Sequence, residues 1–150
     1  MIRIIGTGVL FAMAGRPREF NVVVARDAAM QLFWTQGYEA TSLNDLLSAM
    51  NLSKSSFYQT FESKHALFEQ CLIRYEEILI CAMREGLATA PSSLAFIHGV
   101  LTDISKETRD PQGRRGCLMM NTAAEFAQSD PGIERCVKAG MEASKKIFAE

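Results

Sequence analysis

The chain has 150 residues, of which 48% are hydrophobic and 22% are charged, and only 4 are prolines. This composition excludes collagen, low-complexity disorder and a disulfide-dense mini-protein, and the length suits one domain or a small domain beside a larger helical one. Because the net charge is −1, no broad basic surface indicates nucleic-acid binding, and any DNA-binding surface has to be local.

The N-terminal segment has two interpretations. Residues 1–14 contain an early Arg3, an apolar run broken by two glycines and an Ala-Met-Ala end, which together make a weak secretory-signal pattern. We favour a chain that starts at Met13 with a polar arm, so residues 1–15 are predicted to be disordered or to precede the true start. No later stretch reaches the roughly 18 apolar residues of a transmembrane helix, so we expect no membrane association and a cytoplasmic location.

Helical periodicity begins after this segment. The first predicted helix runs from Arg18 to Gln36, because apolar residues recur at helical spacing and Gly37 follows as a stop signal. Serine N-caps and further apolar periodicity predict a second helix over 42–50, a third over 54–61 and a long fourth over 64–87. The inward face of the first helix is predicted to hold Ala25, Ala28, Ala29, Leu32 and Phe33.

Three more helices are predicted after Pro91. The sixth lies within Cys117–Gln128, and the last begins at Asp130-Pro131, where aspartate serves as N-cap and proline as the first helical residue. Because no strand-like alternation occurs, the sequence predicts an all-α fold. The fifth helix is predicted from the helical spacing of Leu94, Ile97, Leu101 and Ile104, and it ends before Asp110-Pro111.

The second and third helices have the arrangement of a helix-turn-helix, with a break at Asn51-Leu52 between them. Small hydroxyl side chains at the start of the third helix let backbone N–H groups and the positive helix end approach phosphates. Gln59 can read a base edge in the major groove, and Tyr58 and Thr60 can donate to phosphate oxygens. The same residues also fit an ordinary solvated face of a helical bundle, because this pattern alone is a weak signal.

Three motifs follow one another across this region: Phe33-x-x-x-Gly37-Tyr38-x-x-Thr41-Ser42, then Leu46-x-x-x-Met50, then Leu52-Ser53-Lys54-Ser55-Ser56-Phe57-Tyr58-x-x-Phe61-x-Ser63-Lys64-x-x-Leu67. Their order resembles the N-terminal domain of TetR-family transcriptional regulators. The resemblance extends from about residue 16 to 79, and residues 94–150, with Gly116-Cys117-Leu118, are more weakly similar to one branch of that family. It implies a three-helix DNA-binding domain over 16–63 and, over 64–150, a connecting helix and an incomplete effector-binding and dimerisation domain.

The resemblance implies a repressor that binds a palindromic double-stranded operator as a homodimer and is released by a small-molecule or redox signal, with no cofactor, metal or catalytic residue. Gln59 and Thr60 replace an aromatic residue and a histidine that are common in the family, which leaves the operator sequence open. Arg16 and Arg18 form either a basic arm that reaches the DNA or a plain solubilising tail. The predicted DNA-contacting residues are Thr41, Ser42, Ser53, Lys54, Ser55, Ser56, Tyr58, Gln59, Thr60 and Lys64.

The second domain offers candidates for the signal. Cys117 follows Arg114-Arg115-Gly116 and opens a predicted helix, and both features lower a thiol pKa, so it is a candidate redox or electrophile sensor as well as a candidate buried residue. The remaining cysteines, Cys71, Cys81 and Cys136, are predicted to be small buried hydrophobic residues without zinc-site spacing. The effector-lining candidates, each of which could also be plain core, are Phe96, His98, Met119, Met120 and Phe126.

Two other classes of protein stay open at this point. A helical adaptor would use the same amphipathic faces without binding DNA. A thiol-dependent enzyme would use Cys117 and would need a base beside it, for which the sequence offers only His65 and His98, in other segments.

Overall fold

The computed structural model describes residues 20–107, 115–126 and 129–149, and the elements of these ranges are α-helices without any strand. The all-α prediction is therefore confirmed. Arg16, Arg18 and the proposed start at Met13 lie outside the described residues, as does Arg114. The helices are α1 (Val22–Gln36), α2 (Leu43–Met50), α3 (Lys54–Phe61), α4 (Lys64–Thr89), α5 (Ser93–Glu107), α6 (Leu118–Phe126) and α7 (Pro131–Phe148).

The ends of α1 follow from its capping residues. The Asn21 side chain accepts hydrogen bonds from the N–H groups of Val23 at 2.9 Å and Val24 at 3.3 Å, so the helix begins at Val22 and not at Arg18 as predicted. At the other end Gly37 has φ +85°, a conformation that favours glycine, and its N–H donates to the Phe33 carbonyl oxygen at 2.8 Å.

Local capping also sets the turn between α2 and α3. Ser42 and Asp45 form a capping box at the start of α2. Asn51 adopts the left-handed conformation, and the Ser53 hydroxyl accepts the Ser56 N–H at 3.1 Å, which starts α3 at Lys54. The predicted bounds of α3 are confirmed, because each of these signals lies within a few residues of the helix that it delimits.

One hydrophobic core joins the first three helices to α4, α6 and α7. Helix α4 packs mainly on α1 and α7, and α6 packs on α7. Phe33 of α1 meets Phe68 of α4 edge-on with ring centroids 4.8 Å apart, and both rings are buried. In α1 Met30 is buried in addition to Ala25, Ala29 and Phe33, whereas Ala28 and Leu32 are only partly covered. The core residues of α6 and α7 are Leu118, Met119, Ile133 and Val137.

The prediction of a fifth helix is confirmed, but the apolar residues that predict it are exposed. Leu94 and Leu101 are 76% and 61% exposed, and Ile97 and Ile104 are exposed as well. Helix α5 instead buries Phe96 against Met83 of α4 and Ile147 of α7. A Cβ at Gly86 would lie 3.2 Å from the Phe96 ring, so the glycine allows this close packing. The four apolar residues share one side of α5, as their spacing predicts, but the other described helices leave that side exposed.

None of the helices in the described ranges combines the length and the apolar character that crossing a bilayer requires.

Candidate nucleic-acid interface

Helix α3 has one buried and one exposed face. Phe57 and Phe61 are fully buried and fix the helix on the core, while Lys54, Ser55, Tyr58 and Gln59 are exposed. The Tyr58 ring stands edge-on to Phe57 with centroids 5.3 Å apart, and Tyr58 is 46% exposed. Ser56 and Thr60 are partly buried at the border between the two faces.

The amino end of α3 is capped by side chains, but some of its backbone N–H groups have no acceptor within the helix. Ser53 and Ser56 share a hydroxyl hydrogen bond of 2.9 Å, and Ser53 also accepts the Ser56 N–H, so these two side chains shape the helix start. The N–H groups of Lys54 and Ser55, in the first turn, have no carbonyl acceptor within the helix. Together with the positive end of the helix dipole they favour an anion at this exposed end.

Lys64 opens α4, three residues after α3 ends. Its ammonium group lies 4.2 Å from the centroid of the Tyr38 ring, a cation–π contact that orients the partly buried side chain. The Ser63 hydroxyl accepts the Ala66 N–H at 3.0 Å and caps the helix. The tight turn before it passes through Glu62, which has φ +64°.

The prediction of a phosphate contact for Thr41 is corrected by its burial. Its side chain is fully buried, and its hydroxyl donates to the Gly37 carbonyl oxygen at 2.6 Å, which ties the end of α1 to the start of α2. Ser42 is exposed, but its hydroxyl donates to the Asp45 carboxylate at 2.6 Å. That hydrogen bond, with one from the Ser42 N–H, holds the pKa of Asp45 below its usual value.

Several contacts between residues far apart in the sequence are not predicted. The Trp34 indole N–H donates to the Gly116 carbonyl oxygen at 2.9 Å, and the Arg115 guanidinium lies 4.2 Å from the Trp34 ring centroid. His65 Nε2 lies 2.6 Å from an oxygen of Asp130, the N-cap of α7. The pKa of Asp130 is lowered, first by the Ile133 N–H bond to its carboxylate and then by His65. Sequence spacing carries no signal for such long-range pairs.

The five residues predicted to line an effector pocket do not come together. Phe96 is buried beside Met83, Met119 is buried against Gly140, and Met120 is 53% exposed. His98 is exposed on α5, where the Thr102 hydroxyl donates to its carbonyl oxygen at 2.7 Å. None of these four residues lines the groove between α6 and α7, and their role in an effector site stays a prediction.

Phe126 lines a half-open groove of about 360 Å³ between α6 and α7. Ile133, Val137 and Met141 give it apolar walls, and Asp130 and Glu134 lie on its polar side. Helix α7 supplies most of this lining, although none of the predicted effector-lining residues lies on α7.

The cysteines differ in their surroundings. Cys117 is partly buried directly before α6, and its carbonyl oxygen accepts the Asn121 N–H at 2.9 Å. The nearby Arg115 is occupied with the Trp34 ring and with Gln31, to which it donates at 2.7 Å.

The other cysteines were predicted to be buried. Cys71 is buried as predicted, and burial raises its pKa to about 12. The prediction is wrong for Cys81, which is exposed, and Cys136 is only partly covered.

A family model described as "Bacterial regulatory proteins, tetR family" matches residues 25–71, which run from α1 into the first part of α4. Residues 25–71 are therefore a helix-turn-helix domain of the tetR family. The match contains the whole helix-turn-helix and the start of α4, so it includes each exposed residue of the candidate interface. The TetR resemblance of the sequence is confirmed, and so is the fold that it implied.

Named relatives extend the similarity beyond the matched segment. The chain is 32% identical over 121 residues to the HTH-type transcriptional regulator YezE of Bacillus subtilis, covering 81% of this chain and 62% of YezE. It is 33% identical over 133 residues to the HTH-type transcriptional repressor ComR of Escherichia coli, covering 83% of this chain and 60% of ComR. The chain thus spans about 60% of the length of these curated relatives.

A solved structure shows the same architecture. It is a cysteine mutant of CifR, a TetR family transcriptional regulator, in complex with 26 bp of double-strand operator DNA. The TM-score is 0.60 and the identity 28%, over 87% of this chain and 76% of that one.

Proposed function

We propose that this chain is a sequence-specific DNA-binding transcriptional regulator that acts as a repressor. The single observation that carries the proposal is α3, a capped helix held on the core by Phe57 and Phe61 that presents Lys54, Tyr58 and Gln59 to solvent. The family match over this region supports it, and so does the name of ComR, a repressor.

Each exposed group has a role in this proposal. Helix α3 enters the major groove, where the amide of Gln59 reads a base edge. The Lys54 ammonium, the Tyr58 hydroxyl and the N–H groups of the first turn bind phosphates, with Ser53, Ser55 and Ser56 keeping that end small. Lys64, at the start of α4, supplies a second phosphate contact.

The proposal includes a homodimer, a cytoplasmic location and a signal that ends DNA binding. Two-fold symmetry would pair two α3 helices with two half-sites about 34 Å apart, so the operator would be palindromic. A small effector has a candidate site in the groove between α6 and α7. The apolar walls of the groove would pack against the effector, and the Asp130 carboxylate would accept a hydrogen bond from it. We propose no catalytic role for any residue.

The test is binding to double-stranded DNA as a function of salt, measured by fluorescence anisotropy. A protein that makes several phosphate contacts is expected to lose at least about 10³-fold in affinity between about 50 and 200 mM salt. The absence of saturable binding at the lowest salt concentration would contradict the proposal and would favour a helical adaptor.

A redox signal at Cys117 is the second candidate for effector control, favoured by its place directly before α6 beside the contacts of Trp34 with Gly116 and Arg115. Hydrogen peroxide would transfer one oxygen atom to the thiolate sulfur as the O–O bond breaks, giving a sulfenic acid and hydroxide, and the hydroxide takes a proton from solvent to become water. DNA binding by the parent should fall after peroxide treatment and recover with a thiol reductant, while Cys117→Ser should not respond. Cys81→Ser is the control, since this cysteine is exposed on α4. A Cys117→Ser variant that responds like the parent would end the redox hypothesis.

A further inference from the structure

The carboxylate of Glu125, at the end of α6, contacts the turn between α1 and α2. One of its oxygens accepts the N–H of Tyr38 at 3.0 Å, and the other accepts the N–H of Glu39 at 2.7 Å. Both N–H groups lie beyond the end of α1, where no helical carbonyl is available to them. An ionised carboxylate makes stronger hydrogen bonds than a neutral acceptor, so this pair is well suited to fix the turn.

Gly37 allows the carboxylate to lie directly against the backbone of the turn. A Cβ at this position would lie 3.3 Å from each carboxylate oxygen of Glu125. That separation is tight for a carbon atom, and Gly37 also has φ +85°, which a side chain disfavours. The glycine thus serves the turn and the contact with α6 at the same time.

The next residue of α6 holds the side chain of the same turn. The Phe126 ring lies 5.2 Å from the Tyr38 ring, centroid to centroid, and the Tyr38 ring in turn supports the Lys64 ammonium at 4.2 Å. The end of α6 therefore contacts the α1–α2 turn twice. Glu125 binds its backbone, and Phe126 packs against the Tyr38 ring. The Tyr38 ring connects it to the proposed phosphate contact at Lys64.

We propose that Glu125 is a positioning residue for DNA binding, which holds the α1–α2 turn, and with it α2, α3 and Lys64, in one orientation relative to α6 and α7. The inference rests on the proposed function. A helix-turn-helix that is already held in one orientation loses less conformational entropy when it binds the operator. The two hydrogen bonds of Glu125 therefore favour DNA binding although Glu125 does not contact the DNA. Because Phe126 also lines the α6–α7 groove, a ligand in that groove would contact a residue that packs against the α1–α2 turn.

The test uses two substitutions and a matched control in the full chain. Glu125→Gln keeps the side-chain size but turns an NH₂ group toward one of the two N–H donors, and Glu125→Ala removes both acceptors. Glu142→Gln makes the same charge change on α7, where Glu142 is exposed and pairs with Lys145 at 3.6 Å. Three quantities are measured: amide hydrogen exchange at Tyr38 and Glu39, the melting temperature, and the Kd of the folded protein for a duplex selected by the parent.

We expect exchange at the Tyr38 and Glu39 amides to be at least about tenfold faster in both Glu125 variants. The Kd should rise about tenfold, while its salt dependence keeps the slope of the parent because the phosphate contacts remain. Glu142→Gln should match the parent in all three measurements. A merely structural role would lower the melting temperature and leave the Kd of the folded protein unchanged.

Unchanged exchange at the two amides, or a parental Kd in both folded Glu125 variants, would overturn the inference. If Glu125→Ala does not fold, Glu125→Gln decides the question alone. A parent that binds no duplex would overturn the proposed function and the inference with it. A parent that binds, with variants that bind equally well, would overturn the inference alone.

Discussion

Replacement of Lys64 by methionine removes one positive charge from the candidate interface and preserves most of the side-chain length. The Lys64 ammonium lies against the Tyr38 ring at the start of α4, where the positive helix end also favours a phosphate. If this group neutralises one phosphate, its loss abolishes the release of about 0.9 counterion per chain. In a dimer on a palindrome the slope of log K against log[salt] should therefore become less steep by about 1.8.

This change in slope is large enough to measure. Between about 50 and 200 mM salt the affinity of the parent should fall roughly tenfold more than that of Lys64→Met. Fluorescence anisotropy on one selected duplex at five or more salt concentrations gives both slopes.

The matched control is Lys145→Met, which makes the same change of charge on α7. Lys145 lies far from Lys64. It is two residues from Ile147, which packs against Met83 of α4. Along α4, Met83 is about 28 Å from Lys64 at 1.5 Å per residue. That distance exceeds the Debye length of about 10 Å at 0.1 M salt, so Lys145→Met should keep the slope of the parent. Equal slopes for Lys64→Met and the parent would refute the placement of Lys64 on DNA.

Three further predictions concern α3 and the cap of α2. Gln59→Ala should change which sequence a random duplex pool yields while leaving the salt slope unchanged, and an unaltered preferred site would contradict base reading by this residue. Ser53→Ala should lower the free energy of unfolding by about 1 kcal/mol in chemical denaturation, because it removes the α3 cap, whereas Ser55→Ala, at an exposed position with no capping role, should change it by less than about half that amount. Asp45 has a lowered pKa, chiefly through the Ser42 hydroxyl, so its carboxylate stabilises the fold above its ordinary pKa and this contribution is lost as pH falls through the lowered value. The stability difference between the parent and Asp45→Asn should accordingly shrink as the pH falls below about 4, and a difference that stays constant over that range would contradict this cause.

Features that depend on neighbouring residues could be predicted from the sequence. The bounds of α3 followed from Ser53 and from the break at Asn51, and the start of α7 followed from Asp130 as N-cap with proline after it. The exposure of Gln59, which is two positions from both Phe57 and Phe61 and so lies on the opposite side of α3, is likewise a consequence of helical periodicity.

Features that depend on tertiary packing could not be predicted in this way. Thr41 has a hydroxyl suited to phosphate, and only the packing of α1 against α2 buries it. The apolar stripe of α5 indicated a buried face but not which element covers it, and the described residues leave Leu94 exposed. Glu125 meets Tyr38 across 87 positions of sequence, and no local pattern marks such a pair.

The most direct test of DNA recognition by α3 is selection of bound duplexes from a random pool by the parent chain. We predict enrichment of a palindromic site with two half-sites about one helical turn apart, as two-fold symmetry requires. A pool that stays random after repeated rounds would contradict sequence-specific DNA binding. An enriched site without two-fold symmetry would contradict the dimer.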